Sequence, residues 1–271
     1  MLSLQVAGEW PVDNVAVAVV RRDGEILGTY GDQARPFPLA SVTKLLTAYA
    51  VLIAVEEGAV ELDEPAGPEG STIRHLLAHS SGLAMQEDRV QAAPGTRRIY
   101  SNTGFEVLAE HVQQASGIPF NAYLAEAVFG PLRMADSVLA GSPAYAGTST
   151  CADLSRFAAE LLAPKLVSGA LFAEATRVAF PGLAGVLPGF GNQKPNDWGL
   201  GFSLRDHKSP HWTGTRNSPE TFGHFGQSGT FLWVDPVAGI SCIALTDKVF
   251  GPWAAEVWPV LSDTVLAEVT S

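Results

Sequence analysis

Hydrophobic and polar positions change rhythm twice along this chain. Asn14 to Gly31, "NVAVAVVRRDGEILGTYG", holds two β-rich apolar runs on either side of "RRDG", where Asp23-Gly24 is a hairpin turn signal. Two antiparallel strands are expected to open the chain. Residues 41–57 then read as a helix, and from Leu45 to Val55 no residue is charged, so that helix has no face that belongs in water. Gly58 stands where a C-terminal cap is expected, and "ELDEPAGPEG" follows as a turn-rich loop. "STIRHLLAHSSG" predicts a short helix capped by Ser71 or Thr72. "GFEVLAEHVQQASG", "PFNAYLAEAVFGPL" and "TSTCADLSRFAAELLA" carry the spacing of amphipathic helices. From about Pro181 glycine, proline and tryptophan rise and strand-like runs return as "DWGLGFSLRD", "GTFLWVDP" and "GISCIALTDK". "DPVAG" turns between the last two, and a helix over about 253–269 closes the chain.

Strands at both ends with helices between imply an α/β (α+β) fold. An antiparallel sheet is flanked by helices and carries an inserted, mostly helical domain. Residues 1–44 and 181–271 would form a discontinuous sheet domain and 45–180 the helical domain, with a site in the cleft between them.

Composition narrows the function. The 271 residues carry 17 Lys and Arg against 28 Asp and Glu, a net charge of −11, with no basic run beyond Arg21-Arg22 and Arg97-Arg98. Nothing there would neutralise a row of phosphates, so nucleic acid is not an expected partner. Cys151 and Cys242 lie far apart without framework spacing and are read as reduced, buried thiols. The first residues lack a basic segment followed by an apolar one, and the longest apolar run is too short to span a bilayer. The expectation is a cytoplasmic protein if Met1 is the native start.

One lysine stands at the mouth of the apolar helix, three residues after Ser41. Ser41 can be a helix cap and Lys44 a snorkelling side chain, and one Ser-x-x-Lys pair is close to what composition alone delivers. The same spacing also puts both on one helical face. If apolar helices wall in that face, desolvation lowers the lysine pKa and leaves an amine able to take the serine proton. The helix N-terminus offers free N–H groups where an oxyanion would form.

A nucleophile needs a proton shuttle, and "RRIYSNTGFEVLAEH" offers Tyr100 and Asn102 just before a helix. Asn102 or Thr103 could instead cap that helix, Thr103 and Glu106 having capping-box spacing. A buried tyrosine near a cation is expected to release its proton more readily than in water. "FGHFGQSGTFLWVDP" places His224, Phe225 and Gly226 at a glycine-flanked strand, where a lone histidine is equally at home as a structural residue.

Taken together, Ser41-x-x-Lys44, Tyr100-Ser101-Asn102 and His224-Phe225-Gly226 resemble the three motifs of the serine β-lactamase and penicillin-binding-protein superfamily. They are most similar to its class C β-lactamase-like branch of esterases, D-amino-acid peptidases and β-lactamases. Segments such as "TIRHLLAHSSGL" and "PGTRRIYSNTGFEVLAEHVQQASG" share the likeness, which covers most of residues 14–247. The resemblance implies a β-lactamase/transpeptidase-like fold and a hydrolase (EC 3) that works through an acyl-enzyme, without metal or other cofactor, on a small ester, amide or peptide. It makes Ser41 the nucleophile, Lys44 its base and Tyr100 the proton shuttle to the leaving group and from water. Asn102 would hold substrate and orient Lys44, and the backbone N–H groups of Ser41 and Gln227 would form the oxyanion hole.

The chain also departs from the family pattern. His224 stands where β-lactamases usually carry lysine, which removes a cation for a substrate carboxylate and resembles the esterase and aminopeptidase members. Few residues separate Ser41 from Tyr100, so an open cleft is expected. The polar, Trp-bearing segments "FGNQKPNDW" and "RDHKSPHWTGTRNSPE" are expected to border it.

Rival readings are weaker. His75 and His79 have the spacing of a zinc pair, but "RHLLAH" lacks the glutamate of the His-Glu-x-x-His signature. No Gly-x-Ser-x-Gly occurs for an α/β-hydrolase. A catalytically inactive binding or regulatory member of the same fold is the alternative of a different class.

Overall fold

A computed structural model describes residues 1–270. After a 3-10 segment at Leu2–Glu9 the chain forms the strands β1 (Val15–Arg21) and β2 (Ile26–Gly31), then a short β3 (Pro36–Pro38). Helices α1 (Thr43–Glu56), α2 (Ile73–Leu77), α3 (Asn102–Ser116) and α4 (Phe120–Leu124) follow. Two short strands, β4 (Val138–Leu139) and β5 (Gly147–Thr150), precede α5 (Cys151–Leu162) and α6 (Gly169–Ala175). The last stretch holds β6 (Gly185–Leu187), β7 (Gly191–Gln193), β8 (Ser203–Leu204), β9 (Phe222–Gly226), β10 (Thr230–Asp235), β11 (Ile240–Thr246) and α7 (Pro252–Val269).

Both chain ends build one antiparallel sheet in the order β2-β1-β11-β10-β9-β8. Its alternating side chains divide between two cores. Val17, Val19, Phe231, Trp233 and Cys242 face α7 and the N-terminal segment, while Ala18, Val20, Leu232, Val234 and Ile243 face the helices. Helix α5 lies across β1 and β11, so the helical residues and that face of the sheet share a single core. Both cysteines are free and buried. Among the described residues no helix is long and apolar enough to cross a membrane.

Local chemistry accounts for most boundaries. Gly24, at φ +85°, makes the β1–β2 turn that Asp23-Gly24 predicts, and Gly58, at φ +69°, follows α1. Helix α1 is buried from Thr43 to Ala54, as its uncharged run requires. Thr72 caps α2 by accepting the His75 N–H.

Three expectations change. "DWGLGFSLRD" is not one strand: only Ser203–Leu204 pairs with β9, and the residues before it turn. Neither Asn102 nor Thr103 caps α3. Ser101 does, its hydroxyl accepting the Gly104 N–H and donating to the Ala84 carbonyl. Ser41 is not at a cap position: Leu39 and Val42 precede the 3-10 turn and α1, and neither side chain makes a capping bond.

Candidate active site

Ser41 lies on a 3-10 turn, Ala40–Val42, between β3 and α1. Ala40 has φ +44°, a left-handed conformation that a residue with a Cβ adopts at a cost. That bend sets Ser41 in the first turn, where N–H groups have no carbonyl one turn back to bond. Strand β9 comes so close that a Cβ on Gly226 would meet the Leu39 carbonyl oxygen at 2.3 Å. Glycine is what lets Gln227 follow at the edge of the same opening.

Lys44 is 0% exposed, and its amine has three neighbours. Nζ donates to Asn102 Oδ1 at 2.6 Å and to the Ala144 carbonyl at 2.9 Å, and it lies 3.5 Å from Ser41 Oγ. Burial outweighs the attraction of Glu106 and brings the Lys44 pKa down to about 7. A neutral amine has two N–H bonds and one lone pair. Asn102 and Ala144 take the two hydrogens, which leaves the lone pair for the Ser41 hydroxyl proton.

Tyr100 closes the opposite side, with its ring centroid 4.7 Å from Lys44 Nζ. Burial pushes its phenol pKa up, opposed only in part by a hydrogen bond with Ser41, so Tyr100 keeps its proton at rest. This corrects the expectation that a neighbouring cation makes the phenol more acidic: desolvation wins. Behind it, the His79 ring lies 4.6 Å from those of Tyr100 and Trp198, and His79 Nδ1 accepts the Ser101 N–H at 3.1 Å. His75 is engaged separately, its Nδ1 meeting Thr72 Oγ1 at 2.9 Å and its ring stacking on Phe180.

His224 is buried on β9. Its Nδ1 donates to the Phe225 carbonyl at 2.6 Å, so the ring presents the lone pair of Nε2 to the Tyr100 hydroxyl, 3.4 Å away. Burial and the Lys44 charge bring the His224 pKa down to about 3, which keeps the ring neutral.

Ser41, Tyr100, Asn102, His224 and Gln227 line one cavity of about 400 Å³, and Lys44 reaches it from behind. Sequence reasoning missed several of its makers. The Ala144 carbonyl is backbone and carries no residue-type signal. Met85, Tyr145 and Leu187 also line the cavity, from loops and a strand end with no periodic pattern. Arg98 was only one half of a basic pair. It is in fact buried, bonding the carbonyls of Ala78, Ala179, Phe180 and Asn196, and so fixes the loop that carries Trp198. Of the two Trp-bearing segments, residues 190–198 contribute Trp198 to the cavity. Residues 205–220 do not border it: they line other hollows, with Lys208 and His211 buried. A larger cavity, about 680 Å³ between α5, α6 and the β8–β10 edge, holds no nucleophile beside a base.

The family model Beta-lactamase matches residues 11–265. The chain belongs to the Beta-lactamase family. A β-lactamase from Mycobacterium bovis, Mb2281c, superposes with a TM-score of 0.98 at 59% identity, covering 99% of this chain and 100% of that one. The D-alanyl-D-alanine-carboxypeptidase/endopeptidase AmpH of Escherichia coli strain K12 is 25% identical over 176 residues, 48% of this chain and 46% of AmpH. The chain thus spans about half the length of that curated relative in the match. EstCE1, described as a hydrolase with promiscuous acyltransferase activity, shares the fold at a TM-score of 0.81 and 17% identity, over 98% of this chain and 96% of its own. The family's β-lactamase/transpeptidase-like architecture is the one found here.

Proposed function

We propose that this Beta-lactamase family member is a serine hydrolase that forms an acyl-enzyme at Ser41 on a small ester or amide. The observation that carries the reading is the coordination of Lys44: two acceptors claim the hydrogens of its amine and the Ser41 hydroxyl stands at the remaining position, 3.5 Å away. Ser41 Oγ attacks the substrate carbonyl as its proton passes to Lys44 Nζ. The amides of Ser41 and Gln227 hold the oxyanion. Tyr100, protonated at rest, gives its proton to the leaving group and is recharged from Lys44, with His224 Nε2 accepting from the phenol between steps. Water then enters where the leaving group left and attacks the acyl carbonyl, giving a proton to Tyr100 as Tyr100 passes its own to Lys44; the bond from the acyl carbon to Ser41 Oγ breaks, Lys44 returns that proton to Ser41 Oγ, and the acid leaves. The names of AmpH and EstCE1 support hydrolysis of amide or ester bonds.

Intact-mass analysis after treatment with a fluorophosphonate tests this. One adduct per chain, absent in Ser41→Ala, is expected. A folded protein that forms no adduct with any serine-directed probe is instead a binding or regulatory member of the fold.

A further inference from the structure

We propose that this cleft selects uncharged esters or amides and rejects substrates that present a free carboxylate beside β9. The inference rests on the acyl-enzyme reading and adds to it the charge class of the substrate.

Not one Asp, Glu, Lys or Arg lines the 400 Å³ cavity. The nearest cation, Lys44, lies fully buried behind it with both hydrogens of its neutral form engaged by Asn102 and Ala144. His224 offers an anion nothing. Its Nδ1 hydrogen goes to the Phe225 carbonyl and its Nε2 lone pair faces the Tyr100 hydroxyl, so no N–H is left to point at substrate. Burial and Lys44 also keep that ring neutral, with its pKa held at about 3. The hydroxyls just past β9 are turned away as well: Ser228 donates to the Pro38 carbonyl at 2.7 Å and Thr230 to the Leu39 carbonyl at 2.9 Å.

What remains of the wall is uncharged and mainly apolar: Gln86 and Ser203, whose buried hydroxyl has no partner among the described residues, add neutral polar groups but no cation. Leu187, Pro188, Trp198 and Phe225 line it, and Met85 and Tyr145 stand at its lip, 49% and 48% exposed. A carboxylate entering here sheds its hydration without meeting a counter-charge. The chain's net charge of −11 further opposes its approach. A neutral ester of the same shape pays neither cost and gains from covering apolar surface.

Matched pairs at pH 7.5 separate the two substrates. Methyl p-nitrophenyl adipate against p-nitrophenyl hydrogen adipate, whose spacer disfavours closure of the free carboxylate onto its own ester, probes the acyl side. Methyl O-acetyllactate against O-acetyllactate, with acetate release followed by pH-stat, probes the alcohol side. The neutral member is expected to show kcat/KM higher by about 100-fold in at least one pair. His224→Lys should raise kcat/KM for the acid of that pair relative to its methyl ester by about 10-fold, and Met85→Arg at the exposed lip should move the ratio the same way should the first variant fail to fold. Acid and methyl ester hydrolysed within threefold of each other in both pairs overturn this inference and leave the acyl-enzyme standing. If neither pair turns over, protection of Ser41 from fluorophosphonate decides: protection by the methyl esters alone supports the inference, and equal protection by the acids overturns it. Absence of any Ser41 adduct overturns both readings together.

Discussion

Lys44 and Lys208 are both buried, and burial brings both of their pKa values down to about 7, yet they keep different company. Lys208 Nζ bonds the backbone carbonyls of Asp197 and Leu204, beside the Asp197 and Asp206 carboxylates that favour its charge. It ties together the two ends of the turn that holds Trp198 and Ser203. Among the described residues no serine or threonine hydroxyl is bonded to it. Lys44 also spends its hydrogens on fixed acceptors, but a serine hydroxyl stands at its remaining position and an open cavity lies beyond. A lowered lysine pKa therefore marks burial, not function. What the lone pair faces is what separates a base from a staple.

Breaking each lysine in turn should show that difference. Lys44→Ala is expected to slow acylation of Ser41 about 10³-fold with the near-UV circular dichroism unchanged. A comparable loss of activity in Lys208→Met would erase the distinction. Tyr100→Phe should lower kcat/KM, which reports acylation alone, about 100-fold on an alkyl acetate, whose leaving group must be protonated, and much less on p-nitrophenyl acetate, whose phenolate leaves unaided. Equal losses on the two esters would make Tyr100 a packed aromatic only. Lys208→Met is expected to cost about 1–3 kcal/mol in urea unfolding, since two backbone carbonyls lose their donor, while kcat/KM stays within about threefold.

The same contrast explains what was legible in the sequence. Side chains at fixed local spacing could be read: Ser41 and Lys44 one helical turn apart, Tyr100 and Asn102 at the start of α3, and the Asp23-Gly24 turn between two alternating strands. Position in three dimensions could not. Lys208 sits in a polar stretch that reads as surface, yet it is 4% exposed, because backbone carbonyls rather than neighbouring side chains receive it. Ser101 was hidden between two motif residues and still proved to be the cap that leaves Asn102 free for Lys44. Strands β3, β4 and β5, of two to four residues each, are too short to show a period of two. The tyrosine was misjudged because a neighbouring cation is visible in a motif, whereas the desolvation that outweighs it is a property of the packed site.

The central claim is that Lys44 rests as a neutral base against Ser41, and the pH dependence of fluorophosphonate labelling at Ser41 tests it most directly. Below a pKa of about 7 the charged amine cannot accept the serine proton, so the rate constant should climb about tenfold per pH unit from pH 5 and level off above about pH 7. His224, with its pKa near 3, should add no inflection in that range. A rate that keeps climbing towards pH 10, as for a lysine in water, or a flat profile, would contradict the account.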